Sequence, residues 1–391
     1  TAGRADEVRR LTITRNEVKL EEQAAQSKII EINDIEGTPR KIGVIDVPAF
    51  YLDFDAYRKG DPDYRSTTRD VKNLLADLSA ADIDGLVVDL RGNGGGSLRE
   101  ANELTGLFIE YGPTVQIRGT GSRIWRDGKR RRGPYYDGPM AVMIDRLSAS
   151  ASEIFAGALQ DYGRAIVVGD RSFGKGTVQT LLALPEGQLK ITESKFYRVS
   201  GDSTQHRGVL PDISYPSILQ HDEIGESSLD EALDWDRIAP VRHKNYAVVD
   251  AILPTLVEKH SERANSDPDF QYIWSQKALA EEISGSDLLP LNEAQRVAQR
   301  ETQEAQYLLI ENARRVAKGL EPIGSLDDLY GGDNEDGETL EATSSSSEPS
   351  IETVTTQDPD EEEDALIVET ARILTDAINL SGRIMARADS R

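Results

Sequence analysis

The chain has 391 residues, with 69 acidic against 45 basic side chains and a formal net charge of −24. That length allows a large core and two folded units. The absence of cysteine excludes disulfides and thiol chemistry, and so acidic a chain lacks the basic face that nucleic acid requires.

No run of 18 apolar residues marks a membrane span, and His206, His221, His243 and His260 show no metal-ligand spacing. With no initiator methionine and no leader-like segment, the chain reads as an internal piece of a longer one. Residues 7–22 alternate as a strand does. Ile42–Val47 reads as an apolar strand, and Val71, Leu74, Leu75 and Leu78 mark a helix. Leu86–Leu90 is a strand apolar enough to be covered on both faces. It runs into the loop Gly92–Gly96. A glycine loop between strand and helix can cradle a phosphate, but here Ser97 stands where the third glycine of the dinucleotide fingerprint belongs. As an oxyanion loop the glycines let main-chain N–H groups turn toward a substrate carbonyl.

Leu98, Ala101, Leu104 and Phe108 continue as a helix. Strands follow at 115–118, 140–144, 165–169, 177–184 and 189–199, so helices alternate with apolar strands and the class is α/β. The basic run Lys129–Arg132 lies between glycines and reads as a solvated hairpin tip.

The chemistry concentrates between Ser148 and Gln179. Ser148, Ser150 and Ser152 precede a helix marked by Ile154, Phe155, Ala158 and Leu159. Ser150 and Glu153 form the S-x-x-E capping pattern, which puts Ser150 at the helix N-terminus, where unpaired N–H groups favour an oxyanion. Ser150 is also readable as a plain cap, as most such residues are. No histidine lies nearby to take a hydroxyl proton, whereas Gly174-Lys175-Gly176 offers a lysine, a competent base once desolvated. Gly169–Gly176 falls one residue short of a phosphate-binding loop: Gly176 replaces the required Ser or Thr, and a strand follows where a helix is needed. Lys175 and Gln179 share a side of that strand, so Gln179 is either a holder of the lysine amine or an ordinary strand residue.

Beyond Pro216 the pattern turns helical, at 248–256, 270–279 and 293–318. An acidic low-complexity tract spans 331–364, too poor in apolar residues to fold, and an amphipathic helix follows at 365–391.

Four motifs in this order, DLRGNGGG (89–96), SASASE (148–153), FGKGTVQ (173–179) and KFYRVSGDSTQHRGVLPDI (195–213), resemble the tail-specific or C-terminal processing proteases of the long bacterial type. The resemblance covers roughly residues 11–330. It implies a crotonase/ClpP-like core of βα units at 23–218, preceded at 1–22 by the end of a PDZ domain and followed by a helical domain at 219–330, the acidic linker and the terminal helix. It implies a serine endopeptidase without cofactor or metal, with Ser150 as nucleophile, Lys175 as general base, Gln179 orienting the lysine, and Gly96 and Ala151 N–H groups as the oxyanion hole. Gly92 stands where relatives often carry a polar residue. Asp161 corresponds to an aspartate assigned to charge relay in the family, although eleven helical residues place it roughly 16 Å from Ser150. Further implications are a periplasmic location, substrates with apolar C-terminal tails such as cell-wall-remodelling enzymes, and a lipoprotein adaptor. The competing expectation is a catalytically latent scaffold of the same fold.

Overall fold

The computed structural model describes residues 24–121, 123–285, 290–326, 328, 352–354 and 363–389. Segment 7–22, read as the end of a PDZ domain, lies outside the described residues.

The core begins with two antiparallel strands, β1 (Gln26–Asn33) and β2 (Pro39–Asp46). After a short helix α1 (Phe54–Lys59), Ser66 caps α2 (Thr67–Ala80), which buries Val71, Leu74, Leu75 and Leu78 as its spacing predicts. Strand β3 (Gly85–Asp89) leads through the glycine loop into α3 (Leu98–Thr105). A hairpin of β4 (Gly112–Gly119) and β5 (Ile124–Lys129) follows, then β6 (Met140–Ile144), α4 (Ala151–Asp161) and β7 (Ile166–Gly169). A second hairpin, β8 (Thr177–Ala183) with β9 (Gln188–Tyr197), and the two-residue β10 (Ile213–Ser214) complete this part. The rest is helical: α5 (Val248–Ala264), α6 (Pro268–Ser284) and α7 (Glu293–Ala317). The short strand β11 (Glu352–Val354) and the terminal helix α8 (Ala365–Asp389) end the order.

Two sheets result. The larger runs β10-β7-β6-β3-β2-β1-β11, with β2, β3, β6, β7 and β10 parallel; the smaller is antiparallel, β5-β4-β9-β8. Parallel strands coated on both faces need apolar residues throughout, and β3 shows why. Leu86, Val88 and Leu90 enter one core with α2, α3 and α4, while Val87 enters a second core with α5, α6 and α8. The α/β class and the helical C-terminal region are therefore as the sequence predicts. That region is not a separate appendage, because Ile252, Leu256, Phe270, Ala371 and Leu374 build half of the sheet's cover.

Two readings need amendment. Within the tract expected to stay unfolded, Glu352–Val354 extend the large sheet beside β1, in parallel register from Lys28↔Glu352 to Ile30↔Val354; most of that tract lies outside the described residues. Lys129 is no solvated tip either. Its ammonium donates to the carbonyls of Gly106, Ile109 and Gly133, and partial burial lowers its pKa, while Arg130–Arg132 are exposed.

Candidate active site

The site is assembled where two strand-ends of the large sheet release their chains. The loop after β3 and the turn after β6 emerge side by side, because β3 and β6 are neighbours. Hydrogen bonds between the two distinguish the three candidate serines. Ser148 Oγ donates to the Leu90 carbonyl (2.8 Å) and Ser152 Oγ to the Asn93 carbonyl (2.8 Å), and both residues are completely buried. The Asn93 carbonyl also accepts from Ala149 N–H at 3.0 Å, and the Gly92 N–H reaches both Asp145 oxygens at 3.0 Å. Ser148 and Ser152 are thus spent on structure. Ser150 is partly exposed, and its backbone stands at φ 57°. Such a conformation costs a non-glycine residue about 1–3 kcal/mol and persists only when its surroundings impose it.

Gly95 belongs to those surroundings. A Cβ there would lie 2.6 Å from the Ala149 carbonyl oxygen and 2.9 Å from Ser150 Cβ, so the loop presses on the serine turn in a way only glycine permits. Its neighbour Gly96 is bridged to Phe50 by Ser97 N–H to the Phe50 carbonyl (2.8 Å) and Phe50 N–H to the Gly95 carbonyl (3.0 Å). Ala151 is the first residue of α4, so its N–H belongs to the set with no acceptor within the helix. Ala151 thus stands next to Ser150 at the positive end of a helix, and Gly96 follows the glycine that presses on the serine turn.

Glu153 connects this turn to the lysine. Fully buried, its carboxylate accepts from Ser150 N–H (2.7 Å) and Lys175 N–H (2.9 Å) on one oxygen, and from Ser172 Oγ (2.6 Å) and Gly174 N–H (2.7 Å) on the other. Burial pushes its pKa up to about 7 against the four donors that favour the anion. The backbone nitrogens of Ser150 and Lys175 thus converge on a single oxygen atom. Sequence pattern assigned Glu153 only its capping half; the other three donors lie 19 to 22 residues further on, beyond any local signal.

Lys175 is half-buried. Desolvation lowers its pKa first and Lys190 reinforces the shift, while Glu226 and Glu153 oppose it. Gly174 stands at φ 93°, where a Cβ would lie 2.9 Å from the His206 backbone carbon, so the lysine turn is pressed against segment 203–206. There Gln205, fully buried, accepts from Gly176 N–H (2.9 Å) and donates to Glu226 (2.9 Å). Buried Arg146 fastens the chain around Glu226 to the same turn, donating to the carbonyls of Ile224 (2.5 Å), Ser172 (2.6 Å) and His221 (3.2 Å). Arg146 and Glu226 lie outside the four sequence motifs and Gln205 lies within the last of them without a readable role, because each acts across long separations.

Lys175 opens into a cleft of about 910 Å³. One wall carries Thr177, Gln179, Lys190 and Thr192 of the β8–β9 hairpin, and the other runs from Glu226 and Leu229 to Leu233. Gln179 shares the cleft with Lys175, but its amide nitrogen bonds the hydroxyls of Thr177 (2.8 Å) and Thr192 (3.4 Å). Asp161 is not brought to this group. At the far end of α4 its carboxylate holds Arg198 at 2.5 Å and Ser200 N–H at 3.2 Å, and its carbonyl takes His243. Its partners are those of a structural ion pair.

Residues 41–215 match the model of peptidase family S41, and residues 219–379 match the C-terminal domain of tail specific protease, DUF3340. Residues 41–215 are a peptidase family S41 domain. Over 331 residues it is 38% identical to the "Tail-specific protease" of Haemophilus influenzae, an alignment covering 82% of this chain and 45% of that protein. It is 41% identical over 145 residues to the "Carboxy-terminal-processing protease" of Bartonella bacilliformis, covering 37% of this chain and 33% of that one. The chain thus spans less than half the length of either relative. Among solved structures, a photosystem II D1 C-terminal processing protease aligns with a TM-score of 0.41 at 24% identity, over 52% of this chain and 51% of the other.

Proposed function

We propose that this chain is the catalytic part of a serine endopeptidase that cuts polypeptides at or near their C-terminal tails. One observation carries the reading: Ser150, strained at a helix N-terminus, and Lys175, desolvated beside the cleft, hang from the same buried carboxylate.

In the proposed reaction neutral Lys175 Nζ takes the Ser150 hydroxyl proton as Oγ bonds the peptide carbonyl carbon. The Gly96 and Ala151 N–H groups receive the oxyanion. Collapse breaks the C–N bond, the lysine ammonium returns the proton to the leaving amine, and an acyl-enzyme remains. Water, deprotonated by the same amine, then releases the acid and restores Ser150. Gln179 has its amide nitrogen engaged by Thr177, which leaves its carbonyl as the end that accepts from the ammonium. Apolar-tailed proteins, among them cell-wall-remodelling enzymes, are the proposed substrates, with a lipoprotein adaptor as partner and the periplasm as location. No helix among the described residues is long and apolar enough to cross a membrane.

A serine-directed fluorophosphonate tests the reading. The expected result is labelling confined to Ser150, with loss of cleavage of an unstructured, apolar-tailed polypeptide. Labelling elsewhere, or cleavage that survives complete labelling, overturns it, and a protein that takes up no label is the latent scaffold instead.

A further inference from the structure

Arg91 sits immediately before Gly92–Gly96. On one side its guanidinium grips Asp89, with Nε 3.0 Å from both oxygens and Nη2 2.6 Å from one. On the other, Nη2 lies 2.8 Å from Asp364, a residue 273 positions later in the chain. Asp364 opens α8. Its Oδ1 accepts from the Leu366 and Ile367 N–H groups (2.8 and 3.3 Å) and its carbonyl from Val368 N–H (3.0 Å), while Oδ2 is the atom that meets Arg91. The same helix lies directly on the strand that feeds the loop: a Cβ on Gly85 of β3 would be 2.8 Å from Leu374. Along α8, Glu369 and Asp376 hold Arg263 of α5 at 2.8 and 2.7 Å, so the helix is anchored independently of Arg91.

We propose that Asp364 is a positioning residue for catalysis: through Arg91 it sets the Gly92–Gly96 loop, so the oxyanion donors are in place only while the start of α8 is docked. This rests on the proposed function, since it assigns the loop its role in the reaction. The division of labour between the two Asp364 oxygens gives a clean probe. Asparagine caps a helix as well as aspartate does, but its single carbonyl cannot serve both the cap and Arg91. Asp364→Asn therefore severs the link and leaves α8 capped.

The experiment compares Asp364→Asn with Glu369→Gln, which loosens α8 from α5 and leaves Arg91 alone. Peptide cleavage, the rate of fluorophosphonate labelling and thermal midpoint are read on each. For Asp364→Asn, kcat and labelling rate should both fall about tenfold, a fraction of what loss of a whole oxyanion donor costs, with KM within about twofold and the midpoint unmoved. Glu369→Gln should show the reverse, a lowered midpoint with near-parental kcat well below it. Parental kcat and labelling in Asp364→Asn overturn the proposal, as does an equal loss of kcat in the two variants. If the parent itself neither cleaves nor labels, the proposed function has failed; if the parent does both and Asp364→Asn matches it, only the positioning role has.

Discussion

The proposed nucleophile and the proposed base stand on ground of opposite character. Around Ser150 most polar groups are committed: the buried Ser148, Ser152 and Asn93, with Asp145 nearer the surface, stitch the turn to the glycine loop. Lys175 shares one anchor with it, through Glu153, but its side chain enters a cleft walled by a hairpin whose far end carries Leu181 at 61% and Leu184 at 49% exposure. A nucleophile works by geometry, so rigid framing serves it. A lysine base works by staying neutral, which depends on how much water the cleft admits. An incoming substrate chain would dry the cleft while leaving the serine turn as it is.

Substitutions break this contrast in order of size. Ser150→Ala should lower kcat on the order of 10⁶-fold, measured on an apolar-tailed polypeptide, with the thermal midpoint lowered by no more than loss of a helix cap allows. Lys175→Ala should cost ~10²–10⁴-fold, the range of a general base. In the parent, the rate should climb as pH rises through a lysine pKa lying below the ordinary value of 10.5, and that limb should vanish in the alanine variant. A profile that climbs only at or above the ordinary value would contradict a desolvated base.

Glu153→Gln strikes the shared anchor, since an amide offers one acceptor oxygen to four donors. A displacement of this kind costs about 10²-fold in rate. The pH trends sharpen the point. Because the folded-state pKa of Glu153 is raised from 4.5 to about 7, the folded protein binds the proton more tightly than the unfolded chain. Its contribution to stability is therefore full below the unfolded value and is lost as pH rises through about 7, by on the order of 3 kcal/mol. Activity should move the other way, because the anion is the form that holds all four donors. Urea titrations across pH 4–8 should show the stability trend in the parent and not in Glu153→Gln, and the rate should rise with pH more steeply in the parent than in the variant, which keeps only the Lys175 limb. The smallest effect is expected on the open wall: Gln179→Ala should cost less than about tenfold in kcat, with stability unaffected, as is usual for a surface position.

The parts of the molecule legible in the sequence are those whose cause is local. Leu86–Leu90 is recognisable because a strand covered on both faces must be apolar at each position, and α2 because its four buried residues follow the helical repeat. Strand β1, with its polar flanks, and β5, exposed along most of its length, carry no such signature. At the site, the S-x-x-E pattern located the helix start and one of the four donors to Glu153. The choice among three serines rests on partners about 60 residues away, which no spacing rule encodes. Asp161 shows the same division. Helix length alone separates it from Ser150, whereas its partner Arg198, 37 residues further on, emerges only from the fold.

The docking of α8 has a bearing on how the protein is made. A chain leaving a ribosome has β2, β3, β6 and β7 in hand long before the helix that finishes their second cover, since Gly85 waits for Leu374. Until then Ala371, Ile373 and Leu374 are missing from that core and Arg91 lacks one of its two carboxylates. On the proposed reading, the glycine loop of such a chain is not fully set until α8 has been made and docked.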